Sequence, residues 1–200
     1  MTLNSRLVNL ASLARQMVES GLLLAYGGSI SLRWQDDVYI SPRQARFDRI
    51  ASGDFIRLDL HSDNSWRLAQ VAPEHAVHLT GYRARADVFT VFHLALPHCV
   101  ALGCAGLGIE VLTPSYRQIV GSAAPLLAAS SEDETAMLSA VSQTLVAHNA
   151  LLLPNQGVLV VAASSDEALL RAQAVEQAAH ITLLALAAAG QCRGLAASPS

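Results

Sequence analysis

A few side chains in this sequence could take part in chemistry. Glu74 follows Pro73 at the start of a helical stretch. A carboxylate placed there could give and take a proton, although the positive end of the helix dipole would favour an acid at that spot for stability alone. His93 closes an apolar run, Val88-Phe89-Thr90-Val91-Phe92, as a metal ligand or a satisfied core histidine would. His78 and Tyr82 stand four apart on one helical face, where packing and a buried hydrogen bond are expected. His75 points about 100° away from Glu74 around the same helix and is open to either a pocket or solvent. Gly27 and Gly28 free the backbone for a tight turn, and such a turn can also offer N–H groups to an anion. Arg43 could clamp a carboxylate or phosphate with its fork of donors, or simply be a solvated arginine. A second metal set, His93 with His98 and Cys99, has the wrong spacing along a strand that ends in proline.

Composition removes several alternatives. All 13 basic residues are arginines, so no lysine is available for a Schiff base, pyridoxal phosphate or the Walker phosphate loop. A net charge of −3 gives no electrostatic case for nucleic acid or an anionic membrane. At 200 residues, 52% hydrophobic and 14% charged, the chain is sized for one packed core, and its low charge points towards self-association. No run is long and apolar enough for a transmembrane span. Residues 1–15 already read as an amphipathic helix and not as a signal peptide, so a cytoplasmic location is expected. Cys99, Cys104 and Cys192 read as unpaired thiols.

The elements that must position these groups follow from periodicity. Leu7, Leu10, Ala14 and Met17 form a helical stripe within Leu3–Glu19, with Gly21 at its C′ position. Strands are expected over residues 29–33, 38–41, 55–60 and 65–68 (the last two a hairpin), then 87–93, 109–112, 150–153 and 158–163. Helices are expected from Pro73 to about Arg85, from Pro97, over 134–148, and from a Ser164/Glu167 capping box to about Ala189. Residues 121–131 read as a loop and 191–200 as a flexible tail after a single domain, 1–190. This order predicts an α/β layer structure with a mixed sheet.

Four segments together carry a family resemblance: Gly27-Gly28-Ser29-Ile30-Ser31-Leu32-Arg33, Tyr39-Ile40-Ser41-Pro42, Pro73-Glu74-His75-Ala76-Val77-His78 with Val91-Phe92-His93, and Leu152-Leu153-Pro154-Asn155-Gln156-Gly157. In this order and spacing the chain resembles the class II aldolase/adducin family, in particular proteins like L-fuculose-phosphate aldolase. The resemblance implies a three-layer αβα fold around a central mixed, largely antiparallel sheet, usually in a four-fold tetramer. It also implies a small-molecule ligand met by Gly27, Gly28, Ser29, Ser41, Arg43 and Asn155, with Glu74 moving protons. Aldolases of the family hold Zn²⁺ with a His-x-His strand pair and the histidine of an Asn-His-Gly turn. Alternate strand residues face one way, which explains the first motif.

Here the chain departs from the pattern. His93 keeps the first ligand position, but Ala95 stands at the second and Gln156 at the third. Neither replaces an imidazole as a zinc donor, so zinc or another divalent metal is expected only if a site is rebuilt. The hydroxyl pair that precedes the glutamate in the family corresponds to Ala72 and Pro73, and an asparagine of the glycine turn to Gly28. The zinc and phosphate determinants are thus largely replaced on a kept scaffold. One reading is an aldehyde-lyase-like enzyme for a small hydroxy-carbonyl or carboxylate compound. Others are a non-catalytic binding or assembly module, a partner subunit, or altered chemistry such as decarboxylation.

Overall fold

The computed structural model of the chain describes residues 2–62, 69–128 and 133–189. Its elements are α1 (Leu3–Glu19), β1 (Gly28–Trp34), β2 (Asp37–Ile40), β3 (Ile56–Asp59), α2 (His75–Ala84), β4 (Thr90–Leu94), α3 (Pro97–Cys104), α4 (Pro114–Ile119), α5 (Glu134–Leu145), β5 (Ala150–Leu153), β6 (Gly157–Ala162) and α6 (Ser165–Ala189).

The strands form one sheet in the order β3-β2-β1-β4-β6-β5, and each neighbouring pair is antiparallel. The mixed character expected from the sequence reduces, among the described residues, to a single parallel bridge between Leu126 and Leu152. Helices α1, α3, α4 and α6 cover one face, and α2 and α5 the other, which makes the three αβα layers. Pleating divides β1 between them. Ile30 and Leu32 enter the core under α1 and α6, whereas Ser29 and Ser31 face α2. Strand β4 is central and wholly buried, like β5 and β6; the last two read as continuous apolar runs, while β4 also buries Thr90 and His93.

Local chemistry explains most element ends. Leu7, Leu10, Ala14 and Met17 are all buried, Ser20 caps α1, and Gly21 follows with φ +73°. Pro97 opens α3 at its first position. Ser164 Oγ accepts from the Glu167 N–H at 3.2 Å, while the Glu167 carboxylate reaches back to the Ala163 N–H at 2.9 Å, one residue before the usual box partner.

Three expectations need correcting. Helix α2 begins at His75 with Glu74 as its N-cap, because the Ala72-Pro73-Glu74 stretch first makes a turn in which the His75 N–H bonds to Ala72 O at 3.1 Å. The strand expected over 109–112 shrinks to a bridge between Ile109 and Ala124, and the short helix α4, opened by Thr113 and Pro114, follows unforeseen. Strand β4 starts at Thr90, since residues 87–89 are still leaving α2. The expected strand 65–68 and tail 191–200 lie outside the described residues.

Candidate active site

One end of the sheet gathers the residues singled out above. Gly28 lies against β4: a Cβ added to it would fall on the His93 carbonyl and 3.0 Å from Leu94 Cα, and its φ is +141°. Gly157 meets the next stretch of the same strand. A Cβ there would fall on the Leu94 carbonyl and 2.8 Å from Ala95 Cα, with φ +109°. The Ala95 N–H donates to Gly27 O at 2.8 Å. The first glycine turn, the end of β4 and the β5–β6 turn carrying Asn155 and Gln156 are therefore backbone neighbours. These two glycines are required because no side chain fits such an approach.

Beside this junction an open pocket of about 500 Å³ is lined by Gly28, Pro42, Gln44, Ala72, Pro73 and Glu74, with the exposed Tyr26 at its edge. Glu74 is half-buried and reaches the pocket from the N-cap of α2. Gln44 is carried in on a left-handed residue, φ +56°, at the end of the Pro42-Arg43-Gln44 turn. Neither Tyr26 nor Gln44 was singled out from the sequence. The proline turn was the available signal for Gln44, and Tyr26 adjoins the glycine pair.

The other candidates are placed differently. Arg43 does not line the pocket; its Nε donates to Ala69 O at 3.3 Å and its backbone N–H to Gln70 O at 2.8 Å. Ser41 is fully buried, and its Oγ accepts from the Ile30 N–H at 3.1 Å, a strand-to-strand clasp. Ser29 is equally buried and turned towards α2. Gly27 presses on Leu23 and on the Leu24 carbonyl, 2.8 Å from where a Cβ would be. Asn155, at φ +58°, is exposed and accepts from the Cys104 thiol at 3.1 Å.

Behind the pocket lies a buried polar chain. Ser29 Oγ is 2.8 Å from His78 Nε2, Ser31 Oγ is 2.7 Å from His78 Nδ1, and Ser31 Oγ is also 2.7 Å from the Tyr82 hydroxyl. Whichever tautomer His78 adopts, a serine hydroxyl can donate to one ring nitrogen and accept from the other. Burial, reinforced by His93 and His75 nearby, holds His78 well below the ordinary pKa of 6.5, so the imidazole is neutral. Because His78 is one turn along α2 from Glu74, this chain ties the helix that carries the carboxylate to the strand that carries Gly28.

His93 is 5% exposed, and neither ring nitrogen has a partner among the described residues. Burial lowers its pKa, while the nearby Glu74 carboxylate opposes that shift. A zinc ion at this position would need further donors. Ala95 supplies none, Gln156 an amide, and among the described residues no group of three His, Cys, Asp or Glu side chains could hold a metal ion. His98 and Cys99 are committed elsewhere: Glu176 accepts from both their backbone N–H groups and from His98 Nδ1, the latter pair at 2.7 Å.

Among the described residues no helix is long and apolar enough to cross a membrane. The chain is similar to the L-fuculose phosphate aldolase of Escherichia coli K12, with 23% identity over 182 residues covering 88% of this chain and 84% of that protein. It is 26% identical over 186 residues to a 5-deoxy-D-ribulose 1-phosphate aldolase of Bacillus thuringiensis, covering 90% and 85%. In structure it superposes on Escherichia coli YgbL, whose description offers aldolase, epimerase or decarboxylase as alternatives, with a TM-score of 0.82 at 20% identity over 98% of this chain and 95% of that one. The L-fuculose-1-phosphate aldolase of Thermus thermophilus gives 0.79 at 22% identity, over 96% and 100%. The family profile described as Class II Aldolase and Adducin N-terminal domain matches residues 8–183, and with the antiparallel αβα fold this establishes that the chain belongs to the class II aldolase and adducin family.

Proposed function

We propose that this chain is an aldolase-like scaffold whose pocket receives a small hydroxy-carbonyl or carboxylate compound, with Glu74 as the proton-transferring group and without a three-imidazole zinc site. The observation that carries this reading is the position of Glu74. Its carboxylate lines the pocket beside the Gly28–β4–Gly157 junction, one turn from the buried His78 anchor. A carboxylate within reach of a bound carbonyl compound can remove or return a proton on the adjacent carbon or hydroxyl. Backbone N–H groups of the glycine turn and the Gln44 amide are the donors available for a developing oxyanion. No step is assigned to a metal, since Ala95 and Gln156 do not complete a donor set with His93.

The test is turnover of a panel of short hydroxy-aldehydes and hydroxy-ketones by the purified chain, wild type and Glu74→Gln, with metal content measured on the same samples. Turnover that survives chelation and falls at least about a hundredfold in Glu74→Gln is the expected result. Stoichiometric tightly held zinc whose removal abolishes turnover would overturn it. A second reading, a non-catalytic binding or assembly module, is favoured by the same incomplete donor set; binding without turnover in both proteins would establish it. We propose as well that the chain associates with copies of itself. Leu170, Ile181 and Leu184 are 51%, 38% and 58% exposed on α6, which supports this.

A further inference from the structure

The charge of the pocket decides what can enter it. The described residues that line it include one carboxylate, Glu74, and no arginine or histidine; the others offer a phenol, an amide, backbone groups and apolar surface. Two arginines close in sequence to the described lining residues, Arg43 and Arg46, are turned to other groups. Arg43 is turned to the Ala69 carbonyl, 3.3 Å away. Arg46 lies over the Tyr26 ring, 5.4 Å from its centroid, but its Nε and Nη2 are turned to Asp48 at 3.0 and 2.6 Å, a carboxylate that Arg49 also approaches at 3.9 Å. The positive end of α2 could draw an anion to this spot, and Glu74, its N-cap, already brings a carboxylate there, although its side chain makes no hydrogen bond to the helix N–H groups. A phosphate ester here would meet a carboxylate with no cation among the described lining residues to balance either group.

We infer that the pocket selects an uncharged or cationic hydroxylated compound and discriminates against phosphate esters and carboxylates. This narrows the ligand class of the proposed function and rests on its assignment of the pocket as the binding site. Hydroxyl groups match the lining: one can donate to the Glu74 carboxylate while accepting from the Gln44 amide, and an ammonium adds charge complementarity to Glu74.

The experiment uses the full chain, isotope-labelled, titrated at about pH 7.5 with three probes of similar size: dihydroxyacetone, its phosphate ester, and the amine 2-amino-1,3-propanediol. Amide shifts at Gly28, Gln44 and Glu74 report the site. The first and third probes are expected to bind there at least roughly tenfold more tightly than the phosphate ester, the size of an unbalanced like-charge contact. Glu74→Gln is expected to weaken the amine about tenfold and to shrink the penalty on the phosphate. Shifts at these residues with the phosphate ester binding as well or better would overturn the charge assignment while leaving the pocket in place. So would an unchanged preference in Glu74→Gln. Absence of shifts there with all three probes would overturn both this inference and the reading on which it rests.

Discussion

Replacing His78 by leucine removes the hub of the Ser29–His78–Ser31–Tyr82 chain while nearly keeping its volume. The cost can be worked out from the partners left behind. Ser31 Oγ keeps the Tyr82 hydroxyl at 2.7 Å, but Ser29 Oγ, fully buried, is left with no partner from this network. A lost buried hydrogen bond costs about 1 kcal/mol and an orphaned buried hydroxyl about 1–3 kcal/mol, so His78→Leu is expected to destabilise by about 2–4 kcal/mol. Adding Ser29→Ala removes the orphan, and the double variant should recover about 1 kcal/mol relative to the sum of the single changes. Urea unfolding at about pH 7.5 measures all three. The same series read against pH gives a second check. The folded-state pKa of His78 lies below its unfolded value of 6.5, so the unfolded chain takes up a proton that the folded chain refuses. The native advantage is therefore complete above about pH 6.5 and lost progressively as pH falls towards the folded value. Wild type should lose more stability than His78→Leu between about pH 7.5 and 5.5, and the gap between them should narrow. His93, also lowered by burial, leaves the variant part of that acid sensitivity. Strictly additive single costs, or a gap that widens in acid, would refute the assignment of His78 as a neutral double-bonded hub.

Other outcomes follow from single contacts. Gly157→Ala forces a Cβ to within 2.8 Å of Ala95 Cα at φ +109° and should cost about 3 kcal/mol, a melting-point drop of roughly 6–12 °C by calorimetry for a domain of this size. His93→Leu replaces a buried ring whose nitrogens lack partners among the described residues and should raise stability by about 1 kcal/mol in chemical denaturation; a loss of that size would show the ring to be satisfied in solution. Arg43→Ala should leave ligand affinity at the pocket within about twofold, since its guanidinium is turned to Ala69 O; a tenfold loss by the same titration would place it at the ligand.

The fold was legible in the sequence where local rules and burial agree. The stripe of α1, the Pro97 start of α3, and the apolar runs of β5 and β6 all emerge within a residue or two of where periodicity puts them. Boundaries slipped where a competing local bond intervened, as when the turn at Ala72 took the His75 N–H and moved Glu74 from the first helical turn to the cap. The site was less legible. Ser29 in the glycine-turn segment and Ser41 in the Tyr39–Pro42 segment look like ligand-facing hydroxyls, but pleating sends Ser29 towards His78, and Ser41 spends its hydroxyl on the Ile30 N–H. Which way a side chain faces depends on sheet pairing across many residues, and no spacing rule supplies it. Gln44 and Tyr26 were missed for the same reason: their place at the pocket is set by a turn and a sheet edge brought together in three dimensions.

These facts also separate what the scaffold requires from what the chemistry requires. Gly28 and Gly157 are constrained by backbone approach alone: each touches β4 so closely that a single methyl group would displace a strand carbonyl. They would be needed whether or not anything binds. Ala95 and Gln156 occupy positions on the same junction with no comparable constraint, one exposed and the other partly so, and the antiparallel pairing of β4 with β1 and β6 does not depend on their side chains. Ligand donors at such positions can be exchanged without loss of the fold, whereas the glycines cannot. A chain can therefore keep the family's architecture while the donors at such positions differ, and in this one Glu74 is the carboxylate that lines the pocket.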